Sequence, residues 1–158
     1  MDQRIVKELF EYKDGELYWK LPRSKIKVGN KVGWTDFLNY KVTEINVKHY
    51  KLHKLIFLMF YGYMPKYIDH IDGNPENNKI ENLREVTHSQ NMMNSKKKKN
   101  NTTGYKNVLI DKTSGKYRVQ IRHNKKTFRS KLQDSLENAI LIANQQRAIL
   151  HGEYSREF

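Results

Sequence analysis

Four consecutive lysines, Lys96 to Lys99, followed by "NNTTG", join two parts of this 158-residue chain. An uncompensated ammonium is costly to bury, so the run belongs to a solvated linker. It also limits each part to a small core. Apolar residues make up 37% of the chain, and small domains bury a smaller fraction of their surface than large ones. Charge divides at the same place. Residues 1–95 carry 15 Lys and Arg against 12 Asp and Glu, whereas residues 96–158 carry 15 against 5, which is +10 of the total +13. A compact cation attached to a nearly balanced unit implies a polyanionic partner.

There is no cysteine. This removes disulfides and thiolate zinc sites and fits a reducing, cytoplasmic location. The opening "MDQRIVKELF" contains acids and no long apolar run, unlike a secretory signal. The most apolar segment, Leu55 to Tyr61, is far shorter than the ~20 residues that span a bilayer. No membrane association is expected.

The first third reads as short strands in "GELYWK", "KVGW", "YKVTEINV" and "KHYKLH", where β-branched and aromatic residues alternate with polar ones. His53 to Tyr61 is continuous and helix-compatible. It stops at Gly62, and Pro65 returns the chain to extended form. In the last third, strands are expected over Tyr105–Ile110, Lys116–Arg122 and Lys125–Ser130, with turns at Ser114-Gly115 and His123-Asn124. A helix then starts from Asp134 or Ser135, with Leu136, Ala139, Ile140, Ala143 and Leu150 on one face and Gly152 at its end. The fold class is α+β.

Between these parts, "YIDHIDGNPENN" places Asp69 beside His70 at the end of an apolar extended run, before a loop rich in Asn. Adjacent residues on a strand point to opposite faces. A site using both would therefore sit at the strand's edge and draw other ligands from elsewhere, Asn91 among them. Asp and Asn offer oxygen donors, which suit Mg²⁺ or Mn²⁺ better than zinc. Asn is also a turn former that tolerates left-handed backbone, so spacing alone leaves both accounts open.

"DHIDGNPENNKIENLREVTHSQNMMN" closely resembles the HNH endonucleases, in particular homing enzymes of phage introns. The resemblance is strong over Tyr67 to Asn94 and looser upstream. It implies a strand–strand–helix unit holding one divalent cation, Mg²⁺ or Mn²⁺, with a core over residues 67–95 of a nuclease domain spanning 1–95. It further implies His70 as the general base, Asn82 as the residue orienting it, and Asp69 and Asn91 as the metal ligands. Many relatives have His at the last position and flanking Cys pairs; here Asn91 occupies that position and no Cys occurs. Of the other histidines, His53 and His88 are placed near the site or at structural contacts, and His49, His123 and His151 are expected to face solvent.

In "KYRVQIR" the alternation is clean. Tyr117, Val119 and Ile121 face a helix, and Arg118, Gln120 and Arg122 face away. Thr127 and Arg129 join the polar set from the next strand, and Lys125 lies beside it. No acid occurs between Lys112 and Lys131. Arg reads guanine and Gln reads adenine in the major groove, which admits a small sheet. The region Asn101 to Ser155 resembles the APETALA/ethylene-response-factor DNA-binding domains, three strands and a helix with the sheet in the major groove. The expected organisation is a nuclease domain at 1–95, a basic linker at 96–104 in which Lys96, Lys97, Lys98 and Lys99 track phosphates, and a DNA reader at 105–158. The function is then site-specific cleavage of double-stranded DNA by a monomer. The rivals are a non-catalytic DNA-binding regulator that keeps the fold, and an RNA-binding protein. The latter is disfavoured because the polar face shows no stacking aromatic.

Overall fold

A computed structural model describes residues 1–94 and 101–154; Lys96 to Lys99 lie outside the described residues. The fold is α+β and falls into two compact units, Met1–Val86 and Thr87–Phe158. This division comes earlier than the one read from charge. The segment after Thr87 is tied into the second unit, where the Lys106 ammonium donates to the Met93 carbonyl at 2.6 Å.

The first unit opens with a helix that was not expected, α1 (Gln3–Leu9), in which the Asp2 carboxylate caps the Arg4 N–H. At seven residues it is too short to display a helical period, and tertiary contact stabilises it through fully buried Val6. Strands β1 (Phe10–Lys13) and β2 (Glu16–Trp19) form a hairpin through Asp14 and Gly15, both at positive φ. Strands β3 (Trp34–Thr35), β4 (Lys41–Ile45) and β5 (Lys48–Lys51) form an antiparallel sheet in that order. Helix α2 (Leu52–Tyr61) follows directly. It is apolar on nearly all sides because it runs through the core, burying Leu52, Leu55, Ile56, Phe57 and Leu58 against Phe10, Leu17 and Trp19. Gly62 at φ 81° ends it, returning its N–H to the Leu58 carbonyl. The extended run then yields β6 (Ile68–His70), which pairs antiparallel with β7 (Leu83–Glu85) after a short 3₁₀ turn at Ile80–Asn82.

The second unit begins with α3 (His88–Met93). Its capping box pairs Thr87 with Gln90, each side chain satisfying a backbone N–H of the other end of the first turn. Strands β8 (Val108–Ile110), β9 (Tyr117–His123) and β10 (Lys126–Arg129) form a three-stranded antiparallel sheet with β9 central. Helix α4 (Leu136–His151), capped by Ser135, covers one face. The core is small, with Val108, Val119, Ile121, Ala139 and Ala143 buried and Phe128, Leu136 and Ile140 packed around them. The β9–β10 turn uses Asn124 and Lys125, both at positive φ, as a two-residue hairpin turn requires.

Among the described residues no helix is long and apolar enough to cross a membrane.

Two glycines in the first unit test backbone fit against backbone conformation alone. Gly29 (φ +81°) and Gly33 (φ +86°) both adopt left-handed backbone. A Cβ at Gly29 would meet nothing within 4 Å, whereas one at Gly33 would lie 2.2 Å from the Val42 carbonyl oxygen. Gly29→Ala should cost ~1–2 kcal/mol, the conformational term. Gly33→Ala should cost clearly more, because a β4 carbonyl cannot move without breaking the sheet. Urea midpoints of the two variants against wild type measure the difference.

Candidate active site

The β6–β7 ladder sets the site. Its register places Asp69 opposite Arg84 and His70 opposite Leu83. Asp69 is buried, and its Oδ2 accepts from Arg84 Nε at 3.0 Å and Nη2 at 2.9 Å. Arg84 was not singled out in the sequence. A cation two residues past a loop has no signature of its own, and only strand register brings it across from Asp69.

The loop from Ile71 to Asn82 is closed by one carboxamide. Asn82 Nδ2 donates to Asp72 Oδ1 at 2.9 Å and to the Asn77 carbonyl at 2.8 Å, while its Oδ1 accepts from the Asp72 N–H at 3.0 Å. Its carbonyl takes the Ile71 N–H at 2.9 Å. Asp72 is the hub of the loop, accepting also from the Asn74 N–H and Asn77 Nδ2. Partial burial pushes its carboxyl up. The bonds from Asn74, Asn77 and Asn82, with His70 nearby, outweigh this and hold it below the ordinary carboxylate range.

His70 is buried, and its Nε2 lies 3.0 Å from the Oδ1 of Asn78, itself 1% exposed. The side chain at His70 Nε2 is that of Asn78, whereas the resemblance assigned Asn82 to orient the ring by side chain or backbone. Asn82 holds His70 indirectly, through the loop that follows it. The run of asparagines made Asn78 visible in the sequence, but nothing there separated it from its neighbours.

His53 also faces this site. It lies on the first turn of α2, 4% exposed, with its ring edge-on to His70 at 5.1 Å and to Tyr40 at 5.4 Å. Its Nδ1 is buried with no hydrogen-bond partner. Burial, then the neighbouring His70, Lys51 and Lys54, lowers its pKa from 6.5 to about 3, so it is a neutral imidazole at neutral pH.

The second unit holds the remaining assigned positions. Asn91 and exposed His88 lie on α3. Arg118, Gln120 and Arg122 alternate with buried Val119 and Ile121 along β9, and register places Thr127 opposite Arg122 and Arg129 opposite Gln120. These five residues therefore share the sheet face opposite α4, while Lys125 sits in the β9–β10 turn. Two features were missed. Asp111, one position before the acid-free span, lies 3.8 Å from Arg118, and exposed Leu109 stands opposite Arg118 on β8. Exposed His49 agrees with expectation, but His151 does not. It is buried at the end of α4 with its ring 5.7 Å from that of half-buried His123, because the end of the helix packs onto the sheet rather than projecting from it.

Residues 50–93 match the HNH endonuclease family. Over 97 residues the chain is 37% identical to Protein 3.8 of Escherichia phage T7, an alignment covering 60% of this chain and 79% of that protein. The chain belongs to the family of that phage protein. Its HNH segment contains Asp69, His70, Asn78, Asn82, Arg84 and Asn91, and ends before the C-terminal sheet. The APETALA-like reading of that sheet therefore rests on its own residues. No solved structure matches the chain.

The fold family implies a divalent cation. Among the described residues no three His, Asp or Glu side chains cluster as a ready metal cage. The donor chemistry is nevertheless suitable, since Asp69 is a buried carboxylate beside imidazoles, and hard oxygen donors select Mg²⁺ or Mn²⁺.

The neutral state of His53 carries a pH signature. Its folded pKa lies below its unfolded one, so on acidification the unfolded chain takes up the proton first. The corresponding stability is complete above about 6.5 and is lost as pH falls toward about 3. His53→Gln should flatten the decline in urea midpoint over this window, while the midpoint at pH 8 changes less. A variant with an acid limb as steep as wild type would show that His53 does not contribute it.

Proposed function

We propose that this protein is a metal-dependent, site-specific DNA endonuclease of homing type that hydrolyses a phosphodiester bond with His70 as general base. The observation that carries the reading is the buried Asp69–His70 pair at the end of β6, bonded by Arg84 and Asn78, inside the segment that matches the HNH endonucleases.

His70 accepts a proton from the attacking water, the role of a positioned neutral imidazole in general-base catalysis. The Asn82 clasp holds the loop that follows His70, so the ring's position is set before substrate arrives. Asp69 supplies the carboxylate ligand to a divalent cation, Mg²⁺ or Mn²⁺. Asn91 is assigned as a further oxygen ligand by its spacing in the HNH pattern. Such an ion stabilises charge on the scissile phosphate and on the leaving 3′-oxygen.

Recognition is assigned to the basic sheet face. Arg118, Gln120, Arg122, Thr127 and Arg129 present guanidinium, amide and hydroxyl groups toward base edges, and Leu109 adds an apolar surface of the kind a thymine methyl accepts. The Asp111 pairing makes Arg118 less available than Arg122. Lys125 and the run Lys96 to Lys99 bind phosphates, which adds affinity without sequence information. The partner is double-stranded DNA, bound by a monomer in the cytoplasm.

His70→Ala should lower turnover by ~10²–10⁴-fold while DNA affinity stays near wild type, and excess EDTA should stop nicking of plasmid DNA. A His70→Ala protein that still cleaves would remove His70 from the chemistry. Wild type that binds a specific site but never nicks it with Mg²⁺ or Mn²⁺ would favour the regulator.

Arg122→Ala should cost ~1–3 kcal/mol of specific binding and relax preference at one or two base pairs. Replacing Lys96 to Lys99 with Gln should weaken all sequences alike and reduce the salt slope by ~0.9 for each phosphate no longer neutralised. Binding titrations on randomised DNA at several salt concentrations separate these effects. Unchanged site preference in Arg122→Ala would move recognition away from that residue.

A further inference from the structure

We propose that Asn78 is the positioning residue that selects the tautomer of His70, forcing the ring hydrogen onto Nε2 and leaving Nδ1 as the proton-accepting atom. The β1–β2 hairpin holds Asn78 in place for this purpose. The proposal rests on the reading of His70 as general base, but its central claim concerns the ring itself and can be tested without turnover.

The orientation of the carboxamide decides the tautomer. Asn78 Oδ1 lies 3.0 Å from His70 Nε2, and Asn78 Nδ2 is directed to the Glu76 carbonyl at 3.4 Å. Turning the amide over would set Oδ1 against the Glu76 carbonyl, two acceptors facing each other. A carboxamide oxygen only accepts, so the bond to His70 requires hydrogen on Nε2; a neutral imidazole then has its lone pair on Nδ1. Asn78 is 1% exposed, so no water competes for this bond. Asn82 cannot donate to the ring, because both Nδ2 hydrogens are taken by Asp72 and the Asn77 carbonyl. The two asparagines divide the work, Asn82 closing the loop and Asn78 choosing the tautomer.

The backbone around Asn78 is pressed against the distant hairpin. Gly15, at φ +84°, approaches so closely that a Cβ there would lie 2.8 Å from the Lys79 nitrogen and 3.1 Å from the Asn78 carbonyl carbon. Tyr12 on β1 accepts the Ile80 N–H on its phenolic oxygen at 3.1 Å. A hairpin more than sixty positions upstream thus braces the residue bonded to His70.

The test is ¹⁵N–¹H long-range correlation NMR of the His70 ring in the full-length protein above its titration range, with DNA nicking measured in parallel. Wild type should show the Nε2–H tautomer alone. Asn78→Ala should show a mixture and cleave about 10²-fold more slowly. In Asn78→Asp the carboxylate, which also only accepts, should restore the Nε2–H form. Gly15→Ala should shift the ring toward the mixture. A wild-type ring in the Nδ1–H form overturns the proposal even if no variant folds, as does a pure Nε2–H ring in a folded Asn78→Ala protein. Cleavage that survives His70→Ala would instead defeat the catalytic reading, while the tautomer result would still stand or fall by the spectra.

Discussion

The Asn82 carboxamide clasp is the interaction on which the candidate site depends. Strands β6 and β7 are three residues each, too short to hold a register unaided, and the loop between them contains no apolar residue that is fully buried. Order comes from polar closure instead. Asn82 joins both ends of the loop through Asp72 and Asn77, and Asp72 gathers the remaining amides. Each such bond contributes about 1 kcal/mol, and an unpaired member would cost more. Once the loop is closed, the short ladder sets Asp69 against Arg84 and carries His70 toward Asn78.

The two cores are small for different reasons. In the first unit, α2 is nearly surrounded, and the hairpin and short sheet wrap it with Phe10, Leu17 and Trp19. In the second, one helix covers one sheet face, and the opposite face is left to guanidinium, amide and hydroxyl groups. A polar face beside so modest a core adds little stability. Its positive field, relieved at Arg118 by Asp111, suits a polyanion.

Elements with a clear period or a strong stop signal were legible. Helix α2 ends at Gly62, α4 begins at Ser135, one of its two candidate caps, and β9 keeps its alternation. In each case one local rule, a cap or a repeat of side-chain direction, decides the backbone. Helix α1 escaped because seven residues cannot display a period, and His151 was misplaced because the burial of a helix end depends on what the helix packs against.

The candidate site divides along the same line. Asp69 beside His70, and Asn82 and Asn91 at their spacing, are properties of the linear chain and could be read from it. So could the basic character of the last third, because charge and covalent neighbours do not depend on folding. The partners of those residues were decided only in three dimensions. Arg84 meets Asp69 through strand register, His53 reaches His70 from the start of a buried helix, and Asn78 rather than Asn82 bonds the imidazole because the loop has already engaged Asn82. A hydrogen bond is settled within a few tenths of an ångström, and sequence spacing carries no information at that scale until the backbone between the partners is closed.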